Sequence, residues 1–546
     1  MPKSVGFWLP MALAFAALAS CVSHRAPQSG QAMVRVEQGV LEGRAENGLR
    51  VFKGIPFAAS PAGENRWRPP QAAAAWEGAR DASQFAAACV QPPLPESSIY
   101  YDPHQAVSED CLNLNVWAPQ TADNAPVIVW IHGGSLRIGA GSQPLYDGSA
   151  YARRGIVFVS INYRLGALGW FSHPELSAES DVGSSGNYGL LDQIEALRWV
   201  EDNIAEFGGD PANVTIMGES AGALSVTYLM ASPLARGLFD KAIAQSTNLR
   251  TMPMLSQEAY GMLGAEQTGV NVARALNAPD LDALRTMDAQ QLVNRAALSG
   301  HRPQGVIDGW SLQEQLIDTF DQRRQAMVPL LTGFMEGEMR AGLVPVPQLP
   351  AGPAEYIDEI ERRYGDLAPE FLRLYPAADM RESMMATLRD AVFGWSSEYM
   401  TDRHSAAGQS AYLYYFDHCY PAARDAGVCA FHAGELPYTF GMANPNAPVS
   451  RHWPLPDSTQ DTALADAMLD YWVSFARDGH PQSAGQPVWR PYGQDQSFMR
   501  FGQVPAAQSD LLQGMFELHQ ETVSRRREMG TAWFINTGVN SPILAD

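Results

Sequence analysis

The pentapeptide Gly218-Glu219-Ser220-Ala221-Gly222 restricts what this chain can fold into more than any other stretch. Val214-Thr215-Ile216-Met217, a short apolar run with β propensity, precedes it, and residues 223–230 are apolar enough to begin a buried helix. A strand, a Gly-x-Ser-x-Gly turn and a helix make a nucleophile elbow, in which the serine stands on a strained turn with its hydroxyl exposed. The glycines answer a steric need, because bulk two residues to either side of the serine would meet the neighbouring strand and helix. The hydroxyl then lies at the carboxyl end of a sheet, where open α/β sheets bind ligands. The helix start behind it offers free N–H groups and a partial positive charge.

The flanking sequence predicts a sheet to carry that turn. Residues 34–42 alternate apolar and polar around Gly39, the pattern of a small hairpin. Residues 112–117 alternate as a strand, and residues 127–131 and 156–159 are unbroken apolar runs, as in strands buried on both faces. Leu190, Ile194, Leu197, Val200, Ile204 and Phe207 recur at helical spacing until Gly208-Gly209-Asp210-Pro211 stops them. Strands alternating with helices predict an α/β protein with a mostly parallel sheet. Further strands are expected at 328–333 and 411–416, and a late helix at 464–476. Residues 256–324 are polar and helical, read as a cap over the site, and 353–398 are helical again.

At 546 residues, 46% apolar and 18% charged, the chain has the composition of a large globular unit. Its net charge of −21 argues against nucleic-acid binding, which needs a basic footprint. Lys3 followed by the apolar run 5–19 reads as a secretion signal, too short to span a membrane comfortably. Leu18-Ala19-Ser20-Cys21 resembles a bacterial lipobox, with Cys21 the lipidated first residue. The expected division is a signal peptide over 1–21, a tether over 22–32 and one domain over 33–546, exported and held at the cell envelope by lipid alone. Cys89, Cys111, Cys419 and Cys429 remain, an even number. Pairing each with its neighbour is the simplest of three connectivities, and an oxidising compartment would allow it. No C-x-x-C spacing suggests zinc.

An elbow serine needs a base, an acid to orient the base, and an oxyanion hole, in the chain order Ser, Asp/Glu, His. His432 stands in a loop after a predicted strand, where a base can present its ring, with His404, His418, His452, His480 and His519 as competitors. Glu336 and Glu338 both follow the strand ending at Gly333; Asp308 reads better as a turn residue before Gly309. The N–H of Ala221 and those of the loop His132-Gly133-Gly134-Ser135 are the expected oxyanion donors. Leu136, Glu219, Trp170 and Phe171 are expected at the substrate pocket.

These residues resemble the type-B carboxylesterases, which include cholinesterases and bacterial para-nitrobenzyl esterases. The resemblance runs from about residue 34 to residue 501. It rests on Gly54-Ile55-Pro56-Phe57-Ala58, Glu109-Asp110-Cys111-Leu112-Asn113-Leu114-Asn115-Val116-Trp117, Gly186-Asn187-Tyr188-Gly189, Phe207-Gly208-Gly209-Asp210-Pro211, the elbow itself and His432-Ala433-Gly434-Glu435-Leu436-Pro437. It implies an α/β-hydrolase fold and a serine ester hydrolase of small-molecule esters that needs no metal or cofactor. Counting five residues from Gly333 selects Glu338 as the acid, and Cys89 and Cys111 match the family's first disulfide. Three positions depart from the pattern. Gly133-Gly134-Ser135-Leu136 stands for Gly-Gly-Gly-Phe, which gives Gly134 and Ser135 as donors; Met339 follows Glu338 where the family has glycine; and Thr247 replaces glycine after Gln245-Ser246.

Overall fold

The computed structural model describes residues 1–3, 6, 30–102, 106–342 and 348–544; Cys21 and most of the expected signal segment lie outside them. The expected hairpin is present, with β1 (Gln31–Val36) antiparallel to β2 (Gly39–Glu46). β3 (Leu49–Pro56) and β4 (Asn113–Pro119) extend it antiparallel. The sheet then turns parallel through β5 (Ala125–Ile131), β6 (Val157–Ile161), β7 (Gly209–Glu219), β8 (Lys241–Gln245), β9 (Leu330–Met335), β10 (Ala411–Phe416) and β11 (Ser497–Phe501). Antiparallel β12 (Pro505–Ser509) closes it. The spatial order is β1-β2-β3-β4-β6-β5-β7-β8-β9-β10-β11-β12, with the short strand Ala79–Asp81 beside β2.

The unbroken apolar runs are strands whose alternate side chains feed two cores. In β5, Val127, Val129 and Ile131 join one core while Ile128 and Trp130 join the other. The first core is covered by α1 (Tyr188–Asn203), α2 (Ala221–Ala231) and α3 (Trp395–Ala406), the second by α4 (Thr459–Asp478). Fully burying one Val or Ile contributes about 1.5–3 kcal/mol, so a polar residue in such a run would unseat the strand. α1 ends where the sequence demands it, at Gly208 in the left-handed region (φ 80) after a closing 3₁₀ turn. α4 begins with a capping box between Ser458 and Asp461, earlier than its apolar spacing alone implied.

Residues 256–324 do form helices, Ala265–Ala275, Leu281–Thr286, Ala289–Leu298 and Leu316–Asp321. They do not roof the site. Leu276, Leu284 and Leu292 pack sideways against Trp67, Leu168 and Phe171 in a satellite core, and no residue of this insertion is among the described lining of the cavity above Ser220. Neighbouring parallel strands β5, β7, β8, β9 and β10 all end on one edge of the sheet, and the loop 133–135, Ser220, Glu338 and His432 each follow one of those ends.

Candidate active site

The elbow has the geometry its glycines imply. Ser220 takes φ 57 and ψ −119 at the start of α2, a conformation that L residues rarely adopt. A Cβ on Gly218 would lie 2.4 Å from the carbonyl carbon of Gly222, and one on Gly222 would lie 2.0 Å from the Ile131 carbonyl oxygen. The Ser220 N–H donates to the Gln245 carbonyl at 2.9 Å, which ties the turn to β8.

His432 Nε2 lies 2.7 Å from Ser220 Oγ, and His432 Nδ1 lies 2.5 Å from Glu338 Oε2. Both His432 and Glu338 are buried. The other Glu338 oxygen accepts from Ser246 Oγ at 2.7 Å and from the Met335 N–H at 2.9 Å. Glu336, its rival in the sequence, is engaged with Arg340 at 2.8 Å and turned away from the histidine. Asp308 caps its own turn, accepting from the N–H groups of Trp310, Ser311 and Leu312. The competing histidines are occupied elsewhere, His418 with Asp461, His480 with Tyr412, His519 with Tyr375 and His404 with the Val328 carbonyl, while His452 accepts from Arg451.

The loop that carries Glu338 is docked on the loop that carries His432. Gly337 forms an isolated parallel bridge with Phe431, and its N–H donates to Ala430 at 2.9 Å. A Cβ there would lie 2.0 Å from the Cys429 carbonyl oxygen, so only glycine allows the approach. The Cys419–Cys429 disulfide closes the segment just before His432, and Cys89–Cys111 closes a loop on the far wall; both pairings are those expected.

The glycine-rich loop runs through three successive positive φ values, Gly134 (104), Ser135 (59) and Leu136 (57). The N–H groups of Gly134, Ser135 and Ala221 donate to no acceptor among the described residues. Ser135 is exposed and lines the cavity above Ser220.

Charge is concentrated here. Glu219 Oε1 lies 3.1 Å from His432 Nε2, and Glu219 is buried. Burial raises the Glu219 carboxyl well above the usual carboxylate range, opposed by the His432 charge and reinforced by Glu435 and Glu338. Burial raises Glu435 in the same way. For His432, burial favours the neutral ring, but the carboxylates of Glu219 and Glu338 outweigh it and lift the imidazolium to about 9.

Ser220 and His432 open into a cavity of about 560 Å³. Glu219 lines it as expected. Leu136, Trp170 and Phe171 do not: Leu136 is buried in the core beneath the loop, and Trp170 and Phe171 border a separate cavity against Met262 and His301. Large apolar side chains beside a glycine loop are drawn into the core rather than left against solvent. The walls come instead from residues 91–102 and 433–453, including Tyr100, Tyr101 and Trp453. Sequence reasoning also passed over Ser246, Gly337, Glu435 and Phe393, whose ring lies 5.3 Å from that of His432. For Ser246 a signal existed, a serine directly after a predicted strand. Thr247 bonds the Thr227 hydroxyl at 2.8 Å, which gives the departure from glycine a packing role.

A model of the carboxylesterase family matches residues 30–517. The fumonisin B1 esterase of Sphingopyxis macrogoltabida is 37% identical over 486 residues, 85% of each chain. The para-nitrobenzyl esterase of Bacillus subtilis (strain 168) is 35% identical over 461 residues, 83% of this chain and 91% of that one. Among solved structures, a PNB esterase superposes with a TM-score of 0.77 at 31% identity, covering 89% of this chain and 99% of that one. A carboxylesterase of Geobacillus stearothermophilus superposes with a TM-score of 0.76 at 32% identity, covering 89% and 100%.

Proposed function

The chain belongs to the carboxylesterase family, and from that membership we propose a serine carboxylic-ester hydrolase in which Ser220 is the nucleophile, His432 the base and Glu338 the acid that orients it. Neutral His432 takes the Ser220 proton as Oγ attacks the ester carbonyl. Glu338 holds Nδ1–H, fixing the tautomer and stabilising the imidazolium that forms. The N–H groups of Gly134, Ser135 and Ala221 receive the oxyanion, each such donor being worth about 3 kcal/mol in the transition state. His432 then protonates the leaving alcohol, and water attacks the acyl-enzyme by the same route. No step calls on a metal or cofactor, and the partner is a small-molecule ester.

The observation that carries this reading is the unbroken contact from Ser220 Oγ through the His432 ring to Glu338, at 2.7 and 2.5 Å, on the floor of an open cavity. The test is hydrolysis of para-nitrophenyl acetate, butyrate and octanoate, beside Ser220→Ala. Turnover by the wild type that disappears in the folded variant supports the assignment, and the chain-length preference sizes the acyl site. A folded wild type that hydrolyses none of the three favours the competing class, a catalytically silent surface binding protein. A narrower reading, a specialised esterase for toxin or phenolic esters, is favoured by the likeness to the fumonisin B1 esterase.

The proposed location is the cell envelope, reached by export and held through a lipid on Cys21. Lys3, the apolar run after it and Leu18-Ala19-Ser20-Cys21 support this, and two disulfides suit an oxidising compartment. Among the described residues no helix is long and apolar enough to cross a membrane. Incorporation of labelled palmitate by the full chain, and its loss in Cys21→Ala, tests the anchor.

A further inference from the structure

Among the described residues lining the cavity above Ser220, Arg137 is the one Arg or Lys. It directly follows Gly134-Ser135-Leu136, and the Gly134 carbonyl accepts the N–H groups of both Arg137 and Ile138 at 3.0 Å. That tight turn keeps Arg137 beside the loop whose free N–H groups face the reacting carbonyl. Arg137 Nε is buried without an acceptor, and no carboxylate of the described residues pairs with the guanidinium. Asp102 lines the same cavity.

Of the well-buried arginines, Arg66 pairs with Glu109, Arg164 with Asp192 and Arg389 with Asp390, while Arg526 has the oxygens of Asn536 and Ser541. A desolvated guanidinium donor with no acceptor is unfavourable. The deficit is removed if the acceptor arrives with the ligand, and the fork of a guanidinium matches a carboxylate in two parallel hydrogen bonds.

We propose that Arg137 is a specificity-determining residue that binds a free carboxylate on the acyl half of the substrate, so that the preferred substrates are half-esters of dicarboxylic or polycarboxylic acids. The acyl half is indicated because Arg137 continues the loop that receives the acyl carbonyl oxygen. This inference rests on the hydrolase reading above.

The test compares 4-nitrophenyl hydrogen adipate with its methyl ester, after subtraction of spontaneous hydrolysis, for the wild type, Arg137→Gln and Arg137→Lys. The wild type should favour the half-ester at least tenfold in kcat/KM, mainly through KM, and added salt should erode the preference. The ratio should fall to about one in R137Q and recover in part in R137K. A wild type that favours the methyl ester overturns the proposal without any variant, as does a ratio that is the same within twofold in the wild type and a folded R137Q. If the wild type hydrolyses neither ester and a fluorophosphonate leaves Ser220 unlabelled, the hydrolase reading fails and this inference falls with it.

Discussion

Replacing Gly222 by alanine tests whether the elbow's glycines are there for steric reasons. The added Cβ would stand 2.0 Å from the Ile131 carbonyl oxygen and 3.0 Å from the His132 carbonyl carbon. An ordinary C···O contact is about 3.3 Å, so one side must retreat by about 1.3 Å. Neither side is a flexible side chain. Ile131 ends β5 in the middle of the sheet, paired with β6 and β7, and Gly222 lies in the first turn of α2 behind Ser220. The helix start therefore moves and takes Ser220 Oγ away from His432 Nε2, now 2.7 Å distant. A displacement near 1 Å at reacting atoms costs about a hundredfold in rate. Overpacking of a rigid site lowers stability by about 1–3 kcal/mol. Steady-state kinetics on para-nitrophenyl butyrate, with urea unfolding of the same preparations, measure both. Gly493→Ala is the control, because a Cβ there meets nothing within 4 Å. A folded Gly222→Ala enzyme within threefold of wild-type kcat/KM, and as stable as the control, would refute the steric argument.

Two further predictions follow from the site and its walls. In the proposed mechanism the neutral form of His432 is the active base, and its imidazolium is held up to about 9, so kcat/KM should rise with pH along an acid limb placed above the ordinary imidazole value. Glu219→Gln removes a charge 3.1 Å from Nε2 and should move that limb to lower pH by about one unit or more, since such a pair is worth up to about 4 kcal/mol and one unit is about 1.4 kcal/mol. An unmoved or raised midpoint in the pH–rate profile counts against the electrostatic role of Glu219. The Cys89–Cys111 bridge closes a loop of 22 residues that carries Tyr100 and Tyr101 to the cavity wall. The double variant Cys89→Ala/Cys111→Ala should lose about 3 kcal/mol of stability in urea unfolding and raise KM more than it lowers kcat; equal stability would contradict it.

Much of the architecture was legible in the sequence because it rests on local rules. The runs in β5 and β6 are apolar at every position because both faces are covered, and the elbow's strand, turn and helix are contiguous in the chain. The acid was less legible. Glu336 and Glu338 both follow the strand end, and in the sequence only the family resemblance chose Glu338; what separates them physically is tertiary, the Gly337–Phe431 bridge and the ion pair of Glu336 with Arg340. Ser246 acts on Glu338 across 92 residues of sequence, a link no local pattern encodes. The cavity walls were the least legible. Trp170 and Phe171 are aromatic and near the site in sequence, yet core packing claims them, whereas Tyr100 and Trp453 reach the cavity from loops far apart in the chain. The 256–324 insertion was expected as a roof and lies to one side, because its apolar stripes are satisfied by Trp67 and Leu168.

In the proposed mechanism His432, oriented by Glu338, activates Ser220. The most direct measurement is covalent labelling with a fluorophosphonate, followed by peptide mass mapping of the wild type and of His432→Ala. A single adduct is expected on the peptide containing Ser220 in the wild type, formed at least a hundredfold more slowly in the folded histidine variant. An adduct on any other residue, or labelling of Ser220 at the same rate without His432, would contradict it.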